Sequence, residues 1–91
     1  MLEKINTETD VRTCLGKPHN VVLFNDEDHT KIEVAKQIRH ALHCCSAEAF
    51  HIMLTAHDHG RAVVWTGGLE RCELIASVLE EIRLGVKIEP A

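Results

Sequence analysis

The residues best suited to chemistry lie together in one short stretch, Asn25-Asp26-Glu27-Asp28-His29-Thr30. An amide oxygen and successive carboxylates, with no basic residue among them, invite a metal ion, an ammonium group or a row of amides. A primary ammonium has three donors and no acceptor, so its site needs converging acceptors, ideally one of them charged. Asn25, Asp26 and Glu27 offer these. His57, when neutral, offers a ring nitrogen as a further acceptor. Met53 sits one turn before His57 on the same helical face, with Ala56 beside it, so apolar wall and polar acceptor stand together. Ile32 and Ala35 can supply the opposite wall. An apolar hole rimmed by acceptors fits a peptide amino terminus with a large hydrophobic first side chain, and capture of N-terminal amines is a known mode of recognition.

The positioning elements follow from pattern. Val21-Val22-Leu23-Phe24 is a buried strand. It must end at a surface edge, because Asn25 to Asp28 would be costly to desolvate. Thr30-Lys31-Ile32-Glu33 is a capping box that starts a helix. Its apolar face is expected at Ile32, Ala35, Ile38, Leu42 and Cys45. Ser46 is expected to cap a second helix with a stripe of Phe50, Met53, Leu54 and His57, stopped at Gly60. Ala62–Trp65 is a second strand and Thr66-Gly67-Gly68 a turn. A third helix over residues 69–83 turns Cys72, Ile75, Ala76, Leu79 and Ile82 inward. Leu84, Val86 and Ile88 alternate with polar or small residues, the period of a half-buried strand. The order β-α-α-β-α-β predicts an α+β fold, a three-stranded antiparallel sheet packed on three helices. Residues 1–19 are expected to be a flexible N-terminal arm and 20–91 the core domain.

Composition narrows the function. A chain of 91 residues is one domain, and 45% hydrophobic content supports a modest core. One Trp, two Phe and no Tyr make that core aliphatic. A net charge of −4 argues against nucleic acid and anionic membranes as partners. No apolar run is long enough to span a bilayer, and the polar start, MLEKINTETDVR, is unlike a signal peptide. Four cysteines (Cys14, Cys44, Cys45, Cys72) lack disulfide-framework or CxxC spacing, which points to a reducing, cytoplasmic setting. Monomer is the default for so small a domain with mixed surface charge.

Other readings of the same residues stay open here. Asn25 and Asp26 can make an Asx turn at the strand end. His57 can be an ordinary helix C-terminal histidine, and Met53 and Leu54 can be core. His40, His43, Cys44 and Cys45 are zinc-ligand types, but adjacent helical residues point about 100° apart and no second CxxC or HxxxH completes a set, so no cofactor is expected. Glu70-Arg71 and Glu80-Glu81 read as solvated helix faces. The carboxylates and His57 lack a nucleophile in a recognisable arrangement, so no enzymatic activity is expected.

The segments PHNVVLFND, IMLTAHDHGRAVV and the closing IEPA, in this order over residues 18–91, make the chain resemble the ClpS adaptor family, whose fold is similar to the C-terminal domain of the ribosomal stalk protein. VVLFND followed by ML-x-x-H-x-x-G-R-A-V-V is the specific part. The resemblance implies a non-enzymatic adaptor. It would bind N-degrons, proteins whose first residue is bulky and hydrophobic, and deliver them to a Clp-type AAA+ unfoldase. It further implies that Asn25, Asp26 and His57 hold the α-amino group, and that Glu27 is an acidic rim position. It places Thr30, Ile32, Ala35, Met53, Ala56 and Leu84 around the pocket and Glu70 toward the unfoldase. NDEDHT is one residue longer than the family's NDDYT-like loop, and Lys31-Ile32 replaces its proline and methionine. The alternative is a diverged domain of this fold that binds metal or a partner without degron recognition. Charge-assisted hydrogen bonds of ~1.5–3 kcal/mol each and burial of a Leu or Phe at ~1.5–3 kcal/mol, less the cost of association, give about −8 kcal/mol, a micromolar affinity.

Overall fold

The computed structural model describes residues 17–91; the arm expected over residues 1–19 lies outside them except for Lys17, Pro18 and His19. Strand β1 (His19–Phe24) is the centre of the molecule. It pairs antiparallel with β2 (Arg61–Gly67) on one side and β3 (Val86–Pro90) on the other, giving the order β2-β1-β3. Helices α1 (Lys31–Leu42), α2 (Ser46–His59) and α3 (Leu69–Glu80) complete the expected β-α-α-β-α-β order. β1 begins two residues earlier than its apolar run, because a strand flanked on both sides finds ladder partners for polar His19 and Asn20 too. β2 likewise absorbs Thr66 and Gly67, which the sequence assigned to a turn. Thr66 Oγ1 donates to Asn20 Oδ1 across the ladder at 2.6 Å.

Val21 and Leu23 point into the helical layer, where they meet Val34, Ile38, Met53, Ile75, Leu79 and Leu84. A bulge in β2 between the pairs Val21–Trp65 and Val22–Val63 leaves Val64 as the extra residue. That lets consecutive Val64 and Trp65 both join the core side. On the other sheet face Val22 is also fully buried.

Expectations about all three helices are corrected. The buried face of α1 is Val34, Ile38 and Ala41. Ile32 is 64% exposed and Cys45 lies beyond the helix. The helix ends where His43 turns left-handed (φ 57°), so helical spacing no longer carries Cys45 inward, and it is exposed. In α2 the N-cap position is Cys45, without a side-chain cap bond, and Ser46 is the first helical residue. Its buried face is Ala49, Met53 and Ala56, while Phe50 is exposed. Helix α3 stops at Glu80, short of residue 83. Glu80 and Glu81 are unfavourable at the negative end of a helix. Arg83, at φ 64°, turns the chain so that Leu84 drops into the core.

The other local expectations match. Thr30 Oγ1 accepts from Glu33 N–H at 3.1 Å, and the Glu33 carboxylate accepts from Thr30 N–H at 2.8 Å, a complete capping box. Gly60 ends α2 in the left-handed region (φ 86°), a conformation glycine adopts without strain.

Candidate functional site

The buried strand β1 runs out at Phe24, whose N–H is tied to Gly85 O, and Asn25 N–H is tied to Gly60 O, both at 2.9 Å. These two bonds fasten the start of the acidic loop to the end of α2 and to the entry of β3. A hollow opens there, between the N-terminus of α1 and the C-terminus of α2. Leu23, Val34, Met53 and Ala56 give it apolar walls, and Asn25, Asp26, His29 and His57 bring polar groups to it. Lys31 lies at its edge, and its volume is about 20 Å³, room for roughly one water molecule.

Asp26 is the most engaged residue of the loop. Its Oδ1 accepts from the backbone N–H groups of Asp28 and, at 3.0 Å, His29. Its Oδ2 lies 2.9 Å from His29 Nδ1. The side chain is 10% exposed. Partial burial pushes the carboxyl up. The hydrogen bond from His29, those from the two backbone N–H groups and the charge of His29 outweigh this and hold it below its ordinary value. Asp26 is therefore a carboxylate near neutral pH. It has about four acceptor sites, and the loop uses three. The Asx-type turn and an acceptor role are thus compatible. Asn25 Nδ2 donates to Glu27 Oε2 at 2.9 Å. That bond fixes the amide so that its oxygen stays available as an acceptor.

The structure brings Asn25, Asp26, Met53, Ala56 and His57 together around one hollow. The remaining residues named from the sequence lie elsewhere. Glu27 is exposed and steadies Asn25. Thr30 is exposed and caps α1. Ile32 and Ala35 line a separate groove with Phe50. Leu84 is buried in the core. Glu70 is exposed in the first turn of α3. Five residues that line the hollow were not among the pocket residues named from the sequence: Leu23 and Phe24 at the strand end, His29, Lys31 and Val34. The signal for His29 was the extra length of NDEDHT, since a longer loop must fold back on something, and here it folds onto Asp26.

Among the described residues no three His, Cys, Asp or Glu side chains converge as a metal-holding group. Cys72 is buried and its thiol faces the carbonyls of His19 at 3.4 Å and Gly67 at 3.6 Å. Burial pushes its pKa up. Burial, then the charge of Glu48, does the same for Cys44. Neither is an activated thiol. No helix among the described residues is long and apolar enough to cross a membrane.

Comparison with known proteins agrees with this architecture. The sequence model of the family described as "ATP-dependent Clp protease adaptor protein ClpS" matches residues 16–84. Among solved structures, Agrobacterium tumefaciens ClpS2 bound to L-phenylalaninamide superposes with a TM-score of 0.78 at 23% identity, covering 82% of this chain and 98% of that one. At that identity the likeness speaks for the fold. No curated protein matches the chain in sequence.

Proposed function

The chain belongs to the ClpS family of Clp protease adaptors, and from that premise we propose that it binds the free α-amino group and bulky hydrophobic first side chain of N-degron proteins and hands them to a Clp-type AAA+ unfoldase. The observation that carries this reading is the ring of acceptors around an apolar floor. Asp26 supplies the charge, Asn25 an oriented amide oxygen and His57 a ring nitrogen, while Leu23, Val34, Met53 and Ala56 receive the side chain. A protonated amine offers three donors to these three acceptors. An acetylated terminus offers one donor and no charge, and adds a carbonyl where the site presents acceptors. L-phenylalaninamide, the ligand of the Agrobacterium protein, carries a free amine beside a benzyl group, the same pair of features an N-degron presents.

The hollow holds about 20 Å³, so a bulky side chain enters only as the walls move. Met53, unbranched and adaptable, and the exposed Lys31 and His57 side chains supply that movement. Glu70, exposed at the start of α3, is the residue we assign to the unfoldase contact.

The test is fluorescence anisotropy with labelled peptides that differ only in residue one: Phe, Leu, Trp, Ile, Met, Arg and acetyl-Phe. Binding of Phe, Leu or Trp at micromolar concentration, lost on acetylation, is the expected result. Equal binding of Phe and acetyl-Phe peptides overturns the reading.

A further inference from the structure

Helix α1 carries an exposed stripe, Ile32, Lys36 and Arg39, at the i, i+4, i+7 spacing of one helical face, and exposed His43 follows just beyond the helix end. Two surface hollows follow it. The first, about 240 Å³, is lined by Ile32, Ala35, Lys36, Arg39, Ser46 and Phe50 and lies on the seam between α1 and α2. The second, about 540 Å³, is lined by Lys36, Arg39, His40, His43 and Cys44. The two share Lys36 and Arg39, and the first, though separate from the amine site, lies beside it. Lys31 lines that site and Ile32, the next residue, lines the seam groove. On α2, His57 lines the site and Phe50 the groove, and these two lie on one stripe at i, i+7.

The chemistry changes along this path. Near the site it is apolar: Ile32 is 64% and Phe50 42% exposed, large hydrophobics left to solvent. Farther on it is basic, in a chain whose net charge is −4. Among the described residues neither Lys36 nor Arg39 is within ion-pairing distance of a carboxylate. Glu33, on the same helix, is taken up by the capping box. Glu48 lies near Cys44 at the far end.

We propose that the α1–α2 seam is a second recognition site, which reads the residues that follow the first residue of a bound chain and favours an apolar side chain and then acidic ones. This rests on the degron reading above. From Lys31 to Leu42 the helix rises about 17 Å, and with His43 just beyond it the path is one that an extended peptide at ~3.3 Å per residue spans with five or six residues. The apolar preference therefore falls on the second to fourth residues and the acidic preference on the fifth to seventh. The seam supplies what a hollow of 20 Å³ lacks, contact area, and it discriminates among substrates that share a first residue.

The test uses the full chain and labelled peptides that all begin with Phe, with Leu or Ser at the third residue and Glu, Gln or Lys at the fifth and sixth. At about 0.1 M salt the Glu peptide is expected to bind about tenfold more tightly than the Lys peptide, with Gln between them. The spread should collapse near 1 M salt, where screening shortens to ~3 Å. Leu should bind more tightly than Ser. The double substitution K36E/R39E, on exposed positions, should reverse the Glu–Lys order while leaving the melting temperature unchanged. Glu, Gln and Lys peptides binding within twofold of one another overturns the seam and leaves the degron reading intact. No binding of any Phe peptide overturns both. An acetylated Glu peptide binding as tightly as the free one shows a separate site for acidic partners, and overturns the seam as a track for substrate.

Discussion

The Asp26 carboxylate and the His29 imidazole are joined across the acidic loop, Oδ2 to Nδ1 at 2.9 Å. His29 therefore aims the one charged acceptor that the hollow presents. On the proposed degron reading, Asp26→Ala removes a charge-assisted bond to the amine, ~1.5–3 kcal/mol, so the affinity for a Phe peptide should fall about 10- to 100-fold. His29→Ala leaves the charge and the two backbone bonds in place, and its loss should be smaller than that of Asp26→Ala. Anisotropy titrations of both variants, with thermal melts as a folding control, check the order. His29→Ala matching Asp26→Ala would mean that orientation matters as much as charge.

The same contacts give a pH dependence of stability. The folded-state pKa of Asp26 is lowered, so its ionised form stabilises the fold. That contribution is present above the unfolded value, about 3.9, and disappears as pH falls through the folded value. Unfolding free energy should therefore drop on acidification below about pH 4. The Asp26→Asn variant should lose less over the same interval. Denaturant titrations at a series of pH values decide it; identical slopes for the two proteins would show that the loop contacts contribute nothing.

A Cβ on Gly67 would fall inside the Trp65 indole ring, which lies across the glycine two residues on. Gly67→Ala must push the ring off the core edge. Overpacking of this kind costs about 1–3 kcal/mol. Trp65 is the one tryptophan of the chain, so its emission reports the displacement directly: a shift toward longer wavelength with a lowered melting temperature is expected. An unshifted spectrum with full stability would mean that the ring finds another place at no cost.

Much of this architecture was legible in the sequence, and the misses share a cause. The capping box at Thr30 and Glu33 and the stop at Gly60 depend on neighbours in the chain, and both were read correctly. Which face of α1 turns inward depends on where α2 and α3 lie. Periodicity offered Ile32 and Ile38 as one face, but packing chose Val34 and Ile38, and Ile32 was left outside. Strand ends were underestimated because Asn20 and Thr66 are polar, yet each supplies the other's hydrogen bond across the ladder. At the site, Asn25, Asp26 and His57 could be named because residue type and motif mark them. His29, Lys31 and Val34 could not, because the course of the longer loop brings them to the hollow.

Val22 offers the last test, since it is fully buried on the sheet face opposite the core that the described helices cover. Its cross-strand neighbours are Val63, half exposed, and Lys87. Arg61 lies over the Phe24 ring at 5.7 Å and donates from Nη2 to Glu89 Oε1 at 2.7 Å. Arg61 is opposite Phe24 and Glu89 is opposite Asn20, so the side chain crosses the central strand diagonally at Val22. Its stem serves as a lid, and its charge fastens the far end. An exposed ion pair alone contributes ~0.2–1 kcal/mol and a cation–π contact ~0.5–1 kcal/mol. Arg61→Ala removes both and uncovers Val22, so it should cost about 1–2 kcal/mol. Glu89→Gln keeps the stem in place and should cost less than about 1 kcal/mol. Arg61→Met, apolar and of similar length, should recover part of the loss by covering Val22 again. If Arg61→Met is as unstable as Arg61→Ala, charge and not coverage protects this face.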